Sequence, residues 1–260
     1  MAKINRPQYT KEEYRLLKRS VKAEKTNYNI VCVKHGKKYS TEYVNILYNM
    51  CKRHCTLDFN FYCLTDDSAG LDKNIQVKSL PQNVAGWWAK MYMFSNKLDI
   101  QGQILYMDLD VVIANNIDKL FLYADDNWAI IRDFLRNQNK AWEKYNSSVI
   151  KFTAGSLDKL WQDFTMGQTG IQRRFRGDQD YIFYWAQQNK KATLFPDEWI
   201  KSWKWEIRSS RQWADGGKVG NRTFKTIENV VPPKDCCITV FHGDPNPSNC
   251  KDPFVVDNWR

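Results

Sequence analysis

"ILYMDLDVVIANNIDKLF", residues 104–121, sets two carboxylates, Asp108 and Asp110, inside a run that otherwise holds Ile, Leu, Tyr and Val. An unpaired carboxylate in such a place costs several kcal/mol or takes up a proton instead. Residues two apart on a strand share a face, so Asp108 and Asp110 point together while Leu109 points into the core. At the carboxyl end of the strand the pair is placed to share one ion. Hard divalent cations, Mn²⁺ or Mg²⁺, take oxygen ligands and commonly keep positions open for phosphates. The plain alternative is a strand end whose acids cap the following "NNIDKL" turn.

Working outward, apolar runs alternate with helical patterns. "NIVCV" (29–33) reads as a first strand, followed by the charged turn "KHGKKYS". Tyr43, Val44, Ile46, Leu47 and Met50 then recur at helical spacing. "FNFYCLT" (59–65) and "IQVKSL" (75–80) are further strands, "WWAKMYMFSNKL" (87–98) is helical, and "QILYMDLDVVI" (103–113) is the fourth strand. Strands at 128–131 and 147–152, helices near 156–164 and 177–189, and a last strand "CITVFHG" (237–243) follow. This order predicts an α/β fold with ligand loops at the carboxyl ends of its strands. No internal repeat or low-complexity linker divides it. One domain over 28–260 is expected, preceded by a basic extension, 1–27, in which Tyr14, Leu16, Leu17 and Val21 suit a short amphipathic helix.

Composition sets broad limits. The chain has 260 residues and a formal charge of +10, which favours polyanionic partners such as nucleic acid, anionic lipid or phosphorylated small molecules. No run approaches the length of a membrane span, and the first residues lack the apolar core of a signal peptide, so a cytoplasmic protein is expected. Seven scattered Cys fit reduced thiols better than a disulfide framework. Without secretion the glycosylation patterns at Asn146 and Asn221 are idle. "CKRHC" (51–55) tempts a zinc reading but sits in a helix-like segment with no second ligand pair nearby.

Near the end of the chain, "ITVFHGDPNPSN" places His242 after an apolar strand and before Gly243, where backbone can approach a ligand closely. An imidazole ligand tilts the choice from Mg²⁺ toward Mn²⁺. A satisfied turn histidine is the alternative.

Four stretches in this order, "YMDLDVVI", "YNSSVIKF", "RGDQDYI" and "VFHGDPNP", resemble the signature segments of nucleotide-sugar glycosyltransferases of the A-type fold. They are most similar to the glycogenin and lipopolysaccharide glycosyltransferase group, family 8. The resemblance covers roughly residues 29–248 and implies a single A-type domain with a Rossmann-like mixed central sheet flanked by helices. It further implies Mn²⁺ (or Mg²⁺) on Asp108, Asp110 and His242, holding the diphosphate of a nucleotide-sugar donor, UDP-type by analogy. Val33, His35 and Tyr39 correspond to the family's nucleotide loop, with Asp108 and Gly243 also at the donor. Lys90, in "GWWAKMYMF", matches a family Lys near the donor diphosphate, and Asn146, Asp178 and Gln179 match residues around the transferred sugar. Retention of anomeric configuration belongs to the resemblance and is not visible in residue spacing.

Plain readings stand beside these. Lys90 is equally a solvated residue of an amphipathic helix, and Asp178 a helix N-cap. Where the family's closing segment carries a Lys, this chain has Asn246. Either Lys201, Lys204, Arg208 or Arg211 substitutes, or the donor is gripped less tightly. The acceptor is expected to be a saccharide or glycolipid reached in solution or by peripheral membrane contact. The charge keeps open a nucleic-acid acceptor, or a basic nucleic-acid-binding protein without transferase activity.

Overall fold

The structure, a computed structural model, describes residues 27–124, 127–208 and 229–260. The expected extension, except Asn27, lies outside these residues, as do Arg211 and Asn221.

Three strands alternate with helix or turn to build one side of the main sheet: β1 (Tyr28–Lys34), β2 (Phe59–Thr65) and β3 (Gln76–Ser79). Between the first two lies α1 (Thr41–His54), which buries Tyr43, Val44, Leu47, Met50 and Cys51. Glu42 in its first turn and Lys52, Arg53 and His54 in its last complement the helix dipole. The "WWAKMYMF" stretch is helical, as its composition suggests, but wound as a 3-10 helix, Gly86–Phe94. The chain then returns through β4 (Gln103–Met107), parallel to β1 on the side away from β2.

The predicted single strand over 103–113 is two strands. β4 stops at Met107, Leu109 and Asp110 form a turn, and β5 (Val111–Ile113) belongs to a second sheet. Asp108 and Asp110 therefore lie at a corner between sheets, not along one strand face. Leu109 is buried there as expected.

After α2 (Asp118–Leu122), β6 (Ala129–Arg132) and the long β7 (Tyr145–Thr153) complete the main sheet with the short β8 (Thr193–Leu194). Strand order is β3-β2-β1-β4-β7-β6-β8, with β7 antiparallel to both neighbours. The sheet is thus mixed. Helices α3 (Asp158–Arg174) and α4 (Asp178–Gln188) connect β7 to β8. The second sheet runs β5-β10-β9, from β9 (Ile200–Ser202) and β10 (Ile238–Val240), and α5 (Pro253–Asn258) follows. The last strand is shorter than predicted, which leaves His242 just beyond it.

Both faces of the sheet are covered, and alternation along β4 shows it. Leu105 and Met107 enter a core shared with α1 and the second sheet, whereas Ile104 and Tyr106 enter one shared with Trp88, Phe94, Phe164 and Trp185. Truncating a fully buried residue such as Leu105 to Ala costs about 2–5 kcal/mol. Because the chain leaves β1 toward β2 and later returns to β4 on the other side, strand order reverses between β1 and β4. Loops diverge at such a point and open a crevice at the carboxyl ends. Asp108 follows β4 immediately at this place.

Candidate active site

Lys90 is the hub of the crevice. It is 7 % exposed, so it is no solvated helix residue. Its Nζ lies 2.9 Å from Asp108 Oδ1 and 3.2 Å from Asp178 Oδ2, and donates to Ser147 Oγ at 3.0 Å and to the Ser147 carbonyl at 3.2 Å. Burial alone would lower the Lys90 ammonium, but Asp108 and Asp178 outweigh it and hold the group above the ordinary lysine value.

Each partner is placed by its element. The Asp108 N–H donates to the Ser148 carbonyl at 2.8 Å, which extends the β4–β7 ladder one residue past the strand. Tyr106, two residues earlier on the same face, donates its hydroxyl to Asp108 Oδ1 at 2.5 Å. On its other side β7 jumps register, from Ile150 opposite Ile130 to Asn146 opposite Ile131. Such irregularities re-aim side chains. Here it falls where Ser147 meets Lys90, and Asn146 Oδ1 braces the kink by accepting from the Ser148 N–H at 3.0 Å. Asp178 opens α4 but is not its cap: Gly177 occupies that position, and Asp178 accepts from Ser147 Oγ at 2.7 Å. Gln179 reaches the same strand, accepting from the Ser147 N–H at 3.4 Å and donating to Asp133 Oδ2 at 3.4 Å.

Asp110 sits on the far side of the turn. Tyr39 donates its hydroxyl to Asp110 Oδ2 at 2.7 Å. Burial, then the neighbouring Asp108, pushes the Asp110 carboxyl up to about 6, against the opposing pull of Tyr39, Lys38 and Lys90. Val33 ends the apolar part of β1, half-buried. His35, in the loop after β1, accepts from the Gly86 N–H at Nδ1 (3.2 Å) and so ties that loop to the Lys90 helix.

His242 faces elsewhere. Register brings its neighbour close, because the Phe241 N–H donates to the Asp110 carbonyl at 2.9 Å. The His242 ring, however, stacks on Phe134 (5.7 Å), meets the edge of Trp205 (4.4 Å) and lies 2.6 Å through Nε2 from Ser202 Oγ. Ser202 Oγ also accepts from the Trp205 N–H at 3.0 Å, which fixes the hydroxyl beside the ring. Burial, then Lys204, lowers the imidazole to about 4, so it is neutral at pH 7. Gly243 follows with φ +81°, exposed and open.

The chemistry suits a divalent cation at the two acids. Burial and the adjacent Asp108 both raise the Asp110 carboxyl, and a bound cation is what relieves such a pair. The third expected ligand is not gathered to them: among the described residues no group of three His, Cys, Asp or Glu stands ready to hold a metal. Asn246, where the resembling family has a Lys, precedes a single 3-10 turn, Pro247–Asn249. Of the substitutes considered, Lys201 lies on β9, Lys204 adjoins His242, and Arg208 lines a cavity beyond Gly243. The cations that act on Asp110 are instead Lys38 and Lys90.

Sequence reasoning missed Tyr106, Asp133, Ser147 and Ser202. Tyr106 was accessible from strand alternation with Asp108, and Ser147 from its polar place in "YNSS". Ser202 and Asp133 carry no local signal.

No protein-family profile and no curated protein sequence matches the chain. Solved structures do. LgtC, described as a galactosyltransferase in complex with donor and acceptor sugar analogues, matches with a TM-score of 0.55 at 13 % identity, over 88 % of this chain and 93 % of that one. The glycosyltransferase GlyE of Streptococcus pneumoniae TIGR4 gives a TM-score of 0.58 at 11 % identity, over 90 % of this chain and 62 % of GlyE. The bifunctional glycosyltransferase WbbM gives 0.58 at 14 % identity, over 91 % of this chain and 50 % of WbbM. The chain has the A-type glycosyltransferase fold, with a seven-stranded mixed central sheet flanked by helices.

Proposed function

We propose that this protein transfers a sugar from a nucleotide-sugar donor to a hydroxyl of a saccharide or glycolipid acceptor. The observation that carries the reading is the buried Lys90, held by Asp108 and Asp178 where strand order reverses in an A-type sheet. A buried ammonium in contact with acids suits a reaction in which negative charge grows on a leaving diphosphate while the sugar becomes cationic.

Each residue then has a task. Lys90 faces the leaving diphosphate and is already charged, so no proton need move before it acts. Asp178, at the first turn of α4, faces the sugar together with Gln179 and Asn146. Tyr39 orients Asp110 through its hydroxyl, and Val33 and His35 line the nucleotide side. Asp108 and Asp110 would hold Mn²⁺ or Mg²⁺. The ion would supply Lewis-acid neutralisation of the diphosphate. Neutral His242 is chemically suited to join them through a nitrogen. UDP as the nucleotide and retention as the outcome are carried over from the family resemblance; they and metal dependence are part of the proposal.

LgtC was solved with sugar analogues as donor and acceptor, which supports a saccharide on the acceptor side. The nucleic-acid reading rests on the formal charge of +10, half of which lies in residues 1–27, with eight Lys or Arg against three Glu. All but Asn27 of these lie outside the described residues, and no described feature favours it. No described helix is long and apolar enough to cross a membrane.

The test is product formation: incubation with UDP-sugars, Mn²⁺ and a glycan array, read by mass spectrometry. Addition of one sugar to a glycan, lost in Asp178→Asn, is expected. Wild-type protein that modifies no glycan but glycosylates DNA would replace the acceptor assignment.

A further inference from the structure

An exposed face borders the crevice, from the Gly86–Phe94 helix to the end of α3. Trp87, three residues before Lys90, is 62 % exposed, and its indole lies over Gly177: a Cβ there would meet Trp87 Nε1 at 3.4 Å. Gly177 directly precedes Asp178 and follows Arg176, which is exposed. Arg173 and Arg174, in the last turn of α3, are exposed as well. Arg174 stacks over Tyr184 (4.6 Å) and Phe175 (5.3 Å), and the two rings lie 5.1 Å apart. Met166 precedes Arg173 by seven residues on the same face of α3 and is 79 % exposed.

The charge of this face is one-sided. Among the described residues, Arg173, Arg174 and Arg176 form no ion pair. Asp178 is held by Lys90, and Asp163 by Lys159 and the Trp185 indole. Asp180, in the first turn of α4, pairs with no cation among the described residues. The segments at 1–26 and 209–228 are themselves net basic, with eight Lys or Arg against three Glu and four against two Asp or Glu. Asp125 and Asp126 precede Asn127, whose amide donates to Thr193 Oγ1 past the opposite end of α4.

Three guanidinium groups without carboxylate partners, beside an exposed indole and an exposed thioether, match a bilayer interface. Arginine meets lipid phosphate, the indole sits among headgroups, and the apolar side chain enters the acyl boundary. A nucleic-acid backbone would satisfy the arginines and its bases would stack on Trp87, but it leaves Met166 in water. We infer that the face formed by Trp87, Met166, Arg173, Arg174, Arg176 and Tyr184 docks on the surface of an anionic lipid bilayer. Trp87 and Gly177 adjoin the elements of Lys90 and Asp178, so docking sets the crevice beside the headgroups. The docking rests on charge and exposure; its use, presenting the sugar of a glycolipid acceptor, rests on the transferase reading above.

The experiment is co-sedimentation of the full chain with vesicles of phosphatidylcholine, alone or mixed with phosphatidylglycerol, over a range of salt. Binding to the anionic vesicles that weakens with salt is expected. Arg173→Gln combined with Arg176→Gln should lose about 20-fold, from roughly fivefold for each guanidinium near an anionic surface. The control is Lys190→Gln combined with Lys191→Gln, which removes the same charge from exposed residues past the other end of α4. That helix has 11 residues and is about 16 Å long, beyond a screening length of about 8–10 Å, so the control should lose about twofold at most. Trp87→Ala should weaken binding severalfold; if it misfolds, the arginine pair decides. No binding of the wild type to anionic vesicles, equal losses in the two double variants, or no loss in the arginine pair or in folded Trp87→Ala overturns the docking face. Duplex DNA binding that is lost in the arginine pair while vesicle binding is kept overturns it too, and makes the face a nucleic-acid site. Vesicle binding by a protein that neither binds nor hydrolyses any nucleotide-sugar keeps the face and defeats the transferase reading. Nucleotide-sugar hydrolysis without vesicle binding does the reverse.

Discussion

Lys90 Nζ lies 3.2 Å from Asp178 Oδ2, joining the 3-10 helix after β3 to the first turn of α4. Both groups are buried, at 7 % and 6 % exposure, and Asp108 completes the triad from the end of β4. An ammonium between two carboxylates answers two problems at once: each acid is compensated, and the cation is fixed where a diphosphate would arrive.

Removing the lysine alone should therefore harm more than removing a pair. Lys90→Ala leaves two carboxylates facing each other, at a cost on the order of 3–5 kcal/mol. Adding Asp178→Asn should recover part of that stability, with a coupling of about 1–3 kcal/mol in a double-mutant cycle by denaturant unfolding. Additive losses would show that the pair does not interact. In transfer assays Lys90→Ala should depress kcat more than donor affinity, since the charge it faces grows in the transition state.

Asp110 and His242 should give opposite pH signatures. The folded Asp110 carboxyl, at about 6, holds a proton that the unfolded chain has lost above about 4. It adds stability at low pH that is lost as pH rises from about 4 through 6. Asp110→Asn should thus raise stability at pH 7.5 by on the order of 1–3 kcal/mol relative to wild type, given ~1.4 kcal/mol per pKa unit, while abolishing metal-dependent transfer. A destabilised Asp110→Asn at pH 7.5 would mean that the carboxylate is compensated in solution.

For His242 the sign reverses. Its folded imidazole, lowered to about 4, resists a proton that the unfolded chain accepts near 6.5. Stability is lost as pH falls through that window, and His242→Gln should remove this loss. Thermal melts between pH 4 and 7 test it: the wild-type-minus-variant difference should shrink steadily on acidification. A difference independent of pH would place a protonated imidazole in the fold.

Tyr39 should matter chiefly through Asp110. Tyr39→Phe deletes the hydroxyl that stabilises the carboxylate, so Asp110 should titrate higher still, and Mn²⁺ binding near pH 6 should weaken several-fold. Calorimetric titration with Mn²⁺ alone at pH 6 and pH 8 reads the effect. Equal affinities for wild type and Tyr39→Phe at both pH values would remove Tyr39 from the site.

Much of this arrangement was legible in the sequence, for physical reasons that also mark the limits. The near-continuous apolar runs of β1 and β4, buried on both faces, are written in their residues, and so is the α1 face. The carboxylates interrupting residues 104–121 marked the crevice because buried charge is rare without cause. What could not be read is where a strand ends and a sheet changes. Nothing in "YMDLDVVI" distinguishes one long strand from a corner, since both leave Leu109 inside and the acids outside. The choice between the two readings of Lys90, a donor-site lysine by resemblance or a solvated helix residue by pattern, depended on burial, which is a tertiary property. His242 stood out in the sequence as a metal-ligand candidate, but Ser202, its partner in this structure, lies 40 residues away and carries no mark of its own.

The most direct test of the central claim is release of nucleoside diphosphate from a panel of nucleotide-sugars by the full-length chain, with Mn²⁺ and with chelator. Metal-dependent release from at least one donor, reduced at least a hundredfold in Lys90→Ala under conditions where the variant remains folded, is the predicted result. No release and no binding of any nucleotide-sugar in Mn²⁺, from protein with an intact melting transition, would contradict the account.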